Sequence, residues 1–232
     1  MGAVNEVSTL VPFWVDRGAE DMILLLLLCL LLLPALVGVR VGSLLPRSAD
    51  ALLYNRGHIF FRKLVQSISL GSYAVLGALQ RHLLVGITGW LLLRHFTGLT
   101  TGDLWVTLSQ IALIALASLL LSLLYLGSNR LLAQIYLSSP LYLHWLQHYC
   151  ILEWLWPIPL YLGSLLLLVG VWETVALWWV VAVVVMWRLA IILPTISWLR
   201  NAGMSSLLIS LYLCTQELAP FAYLVGFGLL FL

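Results

Sequence analysis

Hydrophobic positions fill long stretches of this chain, and polar positions are confined to short segments between them. Stretches of about 20 apolar residues are long enough to cross the hydrocarbon core of a bilayer as helices. The alternation of apolar and polar positions that marks a transmembrane barrel strand is absent from these stretches. Because backbone polar groups in lipid must be paired within the protein, the pattern predicts an all-α, polytopic bundle of transmembrane helices.

Six spans fit this pattern best. They cover approximately residues 22–39, 64–79, 104–126, 149–169, 174–193 and 204–232. The second span has two interpretations, because residues 80–93 either lie at the interface or continue the same helix through Gln80, Arg81 and His82. Proline interrupts helices, so Pro194 is expected to end the fifth span.

The charged positions predict the orientation of the bundle. One short loop, residues 40–63, holds five of the eleven Lys and Arg residues, namely Arg40, Arg47, Arg56, Arg62 and Lys63. Basic loops favour the cytoplasmic side, so the acidic tail at residues 1–21 and the C-terminus are expected in the periplasm. Residues 22–232 then form a single transmembrane domain. The basic cluster is alternatively a patch for anionic lipid or a protein partner.

The composition agrees with a membrane location. The chain is 63% hydrophobic and 9% charged, whereas soluble domains carry about 25% charged residues. The lipid bilayer is therefore the expected partner, and a net charge of +2 is too small to suggest nucleic acid. Three cysteines, Cys29, Cys150 and Cys214, occur without a Cys-x-x-Cys motif, which argues against a disulfide framework or zinc ribbon.

Three ionisable residues, Glu153, Arg188 and Glu217, fall within the later spans. A charge at that depth is costly unless it is paired, protonated or in contact with water. Glu153 and Arg188 lie at similar depth, and the Arg188 side chain is long enough to reach either carboxylate. We interpret the three as a structural buried cluster that sets helix register. The alternatives are a polar cavity for a proton, ion or small substrate, and charges satisfied only by a partner protein.

Histidine spacing offers a weaker site hypothesis. His144 and His148 are four residues apart and therefore share a helical face, which suits metal ligands when other helices supply more. Two histidines on facing helices could also hold a haem. Their aromatic neighbours and predicted interfacial position favour ordinary interfacial histidines, so no cofactor is expected. Seven tryptophans in the later spans are interpreted as an aromatic belt and packing: Trp154, Trp156, Trp172, Trp178, Trp179, Trp187 and Trp198.

The segment from Leu211 to Pro220 resembles the C-terminal signature of a family of uncharacterised integral membrane proteins from Bacteroidota. Members of that family close on a Leu-Tyr-Leu-Cys-x-x-Glu-x-x-Pro-like segment. Residues 54–62 and 187–189 are similar to the family's entry segment and to the basic position before its last span. The resemblance covers about residues 54–232 and leaves out the first span. It implies an inner-membrane location in a Gram-negative cell and assigns no activity.

These observations favour a non-enzymatic subunit or accessory protein of a larger envelope assembly. A relation to secretion or motility is suggested only by the resemblance to a Bacteroidota family. Nucleotide-binding, Gly-x-Ser-x-Gly and His-Glu-x-x-His motifs are absent, which argues against an enzyme. The alternative function is a small transporter or proton-linked channel that uses Glu217, Arg188 and Glu153. A third is a membrane enzyme acting on lipid headgroups.

Overall fold

A computed structural model describes residues 17–41, 70–98, 103–136, 139–170 and 172–218. Its elements are α1 (Arg17–Val41), α2 (Leu70–Thr97), α3 (Leu104–Tyr136), α4 (Ser139–Leu155), α5 (Pro157–Val169), α6 (Glu173–Asn201) and α7 (Ser206–Tyr212), which continues as a π-helix, Leu213–Leu218. Within these ranges there is no β-strand. The predicted all-α bundle is confirmed.

Four helical units in the described ranges are long and apolar enough to cross a bilayer. They are Ala74–Thr97 in α2, Leu104–Leu131 in α3, Trp145–Val169 across α4 and α5, and Glu173–Asn201, which is all of α6. α1 adds 25 helical residues, and α7 lies in a shorter apolar helix. With α4 and α5 counted as one unit, the described ranges contain six helical segments, four of which are long and apolar enough to cross a bilayer.

The helix α2 continues without a break from Leu70 to Thr97, so the interpretation of residues 80–93 as an interfacial segment is wrong. The polar triplet Gln80, Arg81 and His82 does not end the helix, because all three residues are buried by the neighbouring helices. In the most apolar window of α2, 56% of the residues are buried, against 11% for α3. The helix α2 is therefore the centre of the bundle.

The helices α2 and α3 run in opposite directions. Trp90 Nε1 on α2 donates a hydrogen bond to Gln110 Oε1 on α3 over 2.9 Å, whereas Arg81, nine residues earlier, reaches Ser122, twelve residues later. The partner position on α3 rises as the position on α2 falls, so the two helices are antiparallel. Between these contacts the backbones approach closely, and a Cβ on Gly86 would lie 2.6 Å from the Ile111 carbonyl oxygen.

Two prolines have opposite effects on their helices. Pro157 is the first residue of α5, where its missing N–H leaves no hydrogen bond unmade. Pro194 lies inside α6, which continues to Asn201, so the expectation that it ends the fifth span is wrong. Proline at this position removes the hydrogen bond to the carbonyl of Ala190. His148 Nε2 on α4 contacts that carbonyl oxygen at 3.4 Å and so replaces the lost donor.

Two ion pairs join three helices at one end of the bundle, which we call the Glu20 end. Arg94 Nη2 at the end of α2 lies 2.9 Å from Glu20 Oε1 in the first turn of α1. The next residue, His95, places Nδ1 3.4 Å from Glu173 Oε2 at the start of α6. Arg94, a single basic charge on the predicted periplasmic side, thus has an acidic partner there.

Exposed aromatic side chains surround the Glu20 end, as a membrane-interface belt requires. They are Phe96, Trp105, Trp172 and Trp178. Trp154 and Trp156 are instead buried, and Trp156 stacks on Trp187 with ring centroids 5.0 Å apart. The tryptophans thus divide into an outer set at one end and an inner packing set. At the opposite end, the exposed basic residues Arg130 and Arg200 lie near the ends of α3 and α6.

Candidate functional site

Polar side chains from four helices meet inside the bundle at mid-length. We call this cluster the polar centre, and its members are Arg81, His82, Ser118, Ser122, Tyr149, Glu153 and Arg188. Arg81 lies 16 residues before Thr97, and Glu153 lies 16 residues before Val169. At 1.5 Å of rise per residue, both are about 24 Å from the helix ends at the Glu20 end. The polar centre is thus deep within the apolar part of the helices.

Arg81 is the hub of the polar centre. Its Nη1 forms an ion pair with Glu153 Oε2 and donates to the Tyr149 hydroxyl over 3.2 Å. Its Nη2 donates to Ser122 Oγ over 2.6 Å and to His82 Nε2. A guanidinium has five N–H groups, and four of them are used in these contacts. The Arg81 side chain is only 6% exposed, so it connects α2, α3 and α4 in the interior.

The contacts of His82 determine which ring nitrogen carries its proton. Arginine cannot accept a hydrogen bond, so Nε2 of His82 must be the acceptor in the contact with Arg81. The proton then resides on Nδ1, which lies 2.7 Å from Ser118 Oγ and donates to it. Ser118 Oγ in turn donates to the Ala115 carbonyl over 2.9 Å. His82 is therefore a neutral imidazole. It belongs to a series of hydrogen bonds in which Arg81 donates to His82, His82 donates to Ser118, and Ser118 donates to a backbone carbonyl.

The partners of Arg81 and His82 are spaced four residues apart on each of two helices. Ser118 and Ser122 are one helical turn apart on α3, and Tyr149 and Glu153 are one turn apart on α4, so each pair shares a helix face. The close approach of α2 and α3 at Gly86 brings the two serines within reach of short hydrogen bonds. Gly77, one turn before Arg81, allows Trp154 to pack directly against the α2 backbone.

Arg188 on α6 adds a second guanidinium beside Glu153. It is half-buried, and its Cζ lies 4.6 Å from the centre of the Trp187 ring and 5.9 Å from that of Tyr125. These distances are within the range of cation–π attraction. Its positive charge also acts on the Glu153 carboxylate. The predicted neighbours Glu153 and Arg188 therefore lie in one cluster, but the direct ion-pair partner of Glu153 is Arg81.

The third member of the predicted buried cluster, Glu217, belongs to the π-helix Leu213–Leu218, and its side chain lies outside the described residues. The preceding turn is attached to the bundle, because the Tyr212 hydroxyl donates to Asn129 Oδ1 on α3 over 2.6 Å. The predicted contact of Glu217 with Arg188 stays a prediction. The basic loop residues Arg47, Arg56, Arg62 and Lys63 and the side chain of Arg40 also lie outside the described part of the chain.

His148, one member of the histidine pair on α4, contacts the neighbouring helix α6. His148 contacts the Ala190 carbonyl and packs edge-on against Trp198, with ring centroids 5.2 Å apart. The His144 side chain lies outside the described residues. Within those residues, no group of three or more His, Cys, Asp or Glu side chains comes together as a metal site would require. His148 instead provides a hydrogen bond to the α6 carbonyl that Pro194 leaves without its helical partner.

A family comparison covers nearly the whole bundle. A family model described as "Domain of unknown function (DUF4271)" matches residues 22–227. The chain belongs to this family. The match includes the first span, so the expectation that family similarity begins near residue 54 is wrong. No curated protein and no solved structure matches the chain significantly.

Within this DUF4271 domain, sequence reasoning missed Arg81, the residue with the most contacts in the polar centre. A signal was present, because Gln80, Arg81 and His82 are three consecutive polar residues inside an otherwise apolar stretch. An intramembrane arginine is a site hypothesis by default. The predicted buried cluster drew only on the later spans, so Arg81 in the second span was left out. Because α2 is one continuous helix, Arg81 lies at the same depth as Glu153, and the two opposite charges can pair.

Proposed function

We propose that this DUF4271 protein is a non-enzymatic subunit or accessory protein of a larger membrane assembly. The observation that supports the proposal is the Arg81 hub, which uses four directed donors to hold α2, α3 and α4 in one register. Breaking a buried pair of this kind by moving one partner away leaves an uncompensated charge in a medium of low polarity. An interior held so firmly favours a scaffold, which acts through its outer surface.

We place the protein in the inner membrane of a Gram-negative cell, with both termini on the periplasmic side. The acidic residues Glu20 and Glu173 lie at one end of the bundle, and the exposed Arg130 and Arg200 lie at the other. Positive charge favours the cytoplasmic side, so the Arg200 end is assigned there. The assembly proposed for it is therefore one of the bacterial envelope.

Photocrosslinking in intact cells tests the subunit proposal. A photoreactive amino acid is placed at outward positions on two helices, Leu120 on α3 and Val185 on α6, which are 53% and 51% exposed. The matched control is Leu84, which is 1% exposed and reaches only its own chain. We expect an adduct with a second polypeptide from at least one outward position and none from Leu84. Adducts with lipid alone, together with purification of a lone 25.9 kDa chain under mild extraction, would contradict the proposal.

The second candidate is a proton-linked transporter, and the Glu153 carboxylate favours it. Among the described residues, Glu153 Oε1 is buried and has no hydrogen-bond partner. Intramembrane carboxylates next to histidine are a recurring feature of proton relays. Proton flux into liposomes that contain the purified chain distinguishes the two functions. A flux that Glu153→Gln abolishes and Glu20→Gln preserves would support transport, and no flux above protein-free liposomes would reject it.

A further inference from the structure

The two oxygens of the Glu153 carboxylate have different surroundings. Oε2 is held by Arg81, whereas Oε1 has no hydrogen-bond partner among the described residues. The Glu153 side chain is 11% exposed, so bulk solvent does not compensate for this directly. Leaving a buried charged acceptor unpaired is unfavourable, because the group has lost its hydrogen bonds to water. A group in this position is normally satisfied by a bound water molecule or by a proton.

Two further buried polar atoms on α2, in Arg81 and in the residue before it, also lack a hydrogen-bond partner among the described residues. Arg81 Nε belongs to the same guanidinium that binds Oε2, and within the described part of the chain it has no acceptor. Gln80, the residue before Arg81 on α2, has a buried side-chain oxygen that also lacks a hydrogen-bond partner within the described part of the chain. A buried water needs two to four polar partners, and the unpartnered donor Nε belongs to the side chain that already binds the Glu153 carboxylate.

The charged and titratable groups that face Glu153 come from three helices. Arg81 approaches from α2, Tyr149 and Cys150 lie on α4 itself, and Arg188 approaches from α6. Two guanidiniums thus adjoin one carboxylate in this part of the described structure. Arg81 would retain its contacts with Ser122, His82 and Tyr149 if the carboxylate became neutral. The hub is therefore built so that Glu153 can change its charge without releasing α2 from α3.

We infer that Glu153 is a proton-binding site that water reaches inside the bundle. A water molecule hydrogen-bonded to Oε1 delivers the proton. In the balanced step, a hydronium ion gives its proton to Oε1 and leaves as water, and the Oε2 ion pair with Arg81 becomes a hydrogen bond to a neutral acid. This site is independent of the subunit proposal, since a scaffold and a transporter could each contain it. It identifies the titrating group that the second candidate function would need.

Infrared difference spectroscopy on the reconstituted full chain tests the inference. Spectra are recorded as the medium is acidified, first in H₂O and then in D₂O. We expect the C=O stretch of a protonated, buried carboxyl group to appear in the wild type at higher frequency than that of the water-exposed carboxyl groups, and to shift to lower frequency in D₂O. Two matched controls lie elsewhere: Glu20→Gln removes a carboxylate at the Glu20 end, and Glu217→Gln removes the other carboxylate of the later spans. Both controls should keep the band, and Glu153→Gln should lose it.

Each other outcome overturns the inference. A band absent from the wild type throughout the acidification in which the chain stays folded would show that Glu153 does not bind a proton. A band that does not shift in D₂O would show that water does not reach it, and a band that survives Glu153→Gln would assign it to another residue. If Glu153→Gln does not fold, Glu153→Asp replaces it, and a band of unchanged frequency in that variant would exclude residue 153. The infrared test does not use proton flux in liposomes. A failure of the proton-binding inference can therefore be distinguished from a failure of the transport proposal.

Discussion

Arg81 on α2 and Glu153 on α4 form a buried ion pair, although 72 residues separate them in the chain. Each charge alone would be costly at this depth. Together they are compensated, and three further donors of Arg81 are taken by neutral groups on α2, α3 and α4. The pair therefore determines which faces of three helices must meet, and it is the basis of the first prediction.

Removing one member of this pair should destabilise the protein much more than removing both. Arg81→Met and Glu153→Met each leave one buried charge unpaired, so we expect a loss of about 3–5 kcal/mol in the free energy of unfolding. The double variant leaves no such charge, so its loss should be smaller than the sum of the two single losses. Unfolding equilibria in mixed micelles measure all three variants. Strictly additive losses would show that the two side chains do not interact.

His148 should matter only while Pro194 is present. In the wild type, His148 supplies a donor to the Ala190 carbonyl that Pro194 leaves without its helical partner. We expect His148→Phe to destabilise the chain by about 1–3 kcal/mol, because a buried carbonyl loses its hydrogen bond. In a Pro194→Ala background the helix satisfies that carbonyl itself, and the same substitution should cost less. An equal effect in both backgrounds, measured by thermal unfolding in detergent, would refute this role.

Close packing of α2 on α3 should make Gly86 intolerant of any side chain. A Cβ there would lie 2.6 Å from the Ile111 carbonyl oxygen and 3.0 Å from Ala115 Cβ, so Gly86→Ala must push the two backbones apart. We expect a destabilisation of about 1–3 kcal/mol. Gly127→Ala on α3 is the matched control, because nothing lies within 4 Å of its added Cβ. In the helix interior, alanine is favoured over glycine by up to about 1 kcal/mol. Equal stabilities of the two variants would contradict the close approach.

Labelling of single cysteines should assign the two ends of the bundle to opposite sides of the membrane. Exposed positions at the two ends are Asp103, before α3, and Arg200, near the end of α6. In a background without Cys29, Cys150 and Cys214, an impermeant thiol reagent added to the periplasmic side should label Asp103→Cys. It should label Arg200→Cys only after the inner membrane is opened. The reverse pattern would invert the proposed topology.

The predicted contact between Arg188 and Glu217 can be tested by exchanging their charges. Arg188→Glu alone places a second acid beside Glu153 and should reduce the amount of folded protein. If the predicted contact exists, adding Glu217→Arg should restore part of that loss. The negative control combines Arg188→Glu with Glu20→Arg, because Glu20 lies at the Glu20 end and pairs with Arg94 there. Size-exclusion profiles of the detergent extract measure the folded fraction. Equal recovery with both partners would reject a specific contact.

Much of the fold was accessible from local pattern. Apolar stretches predicted the helical bundle, because backbone N–H and C=O groups in the hydrocarbon core must form hydrogen bonds within the protein. The errors arose at two places, residues 80–93 and Pro194, where a polar or helix-breaking residue suggests an end. In each case a neighbouring helix supplies the missing partners. Ser122 and Glu153 do so for Arg81, and His148 does so for the carbonyl that Pro194 leaves unpaired.

By itself, the sequence determined that this chain is a helical membrane protein with charges inside its spans. The composition of each segment and the spacing of its apolar residues can be read without knowing what the segment contacts. Which charges pair was decided only by the tertiary structure. Arg81 and Arg188 lie in the same cluster, and Arg81 is the direct partner of Glu153 because of how α2 and α6 are placed against α4. Contact between distant segments depends on helix register and rotation, and these follow from packing across the whole bundle.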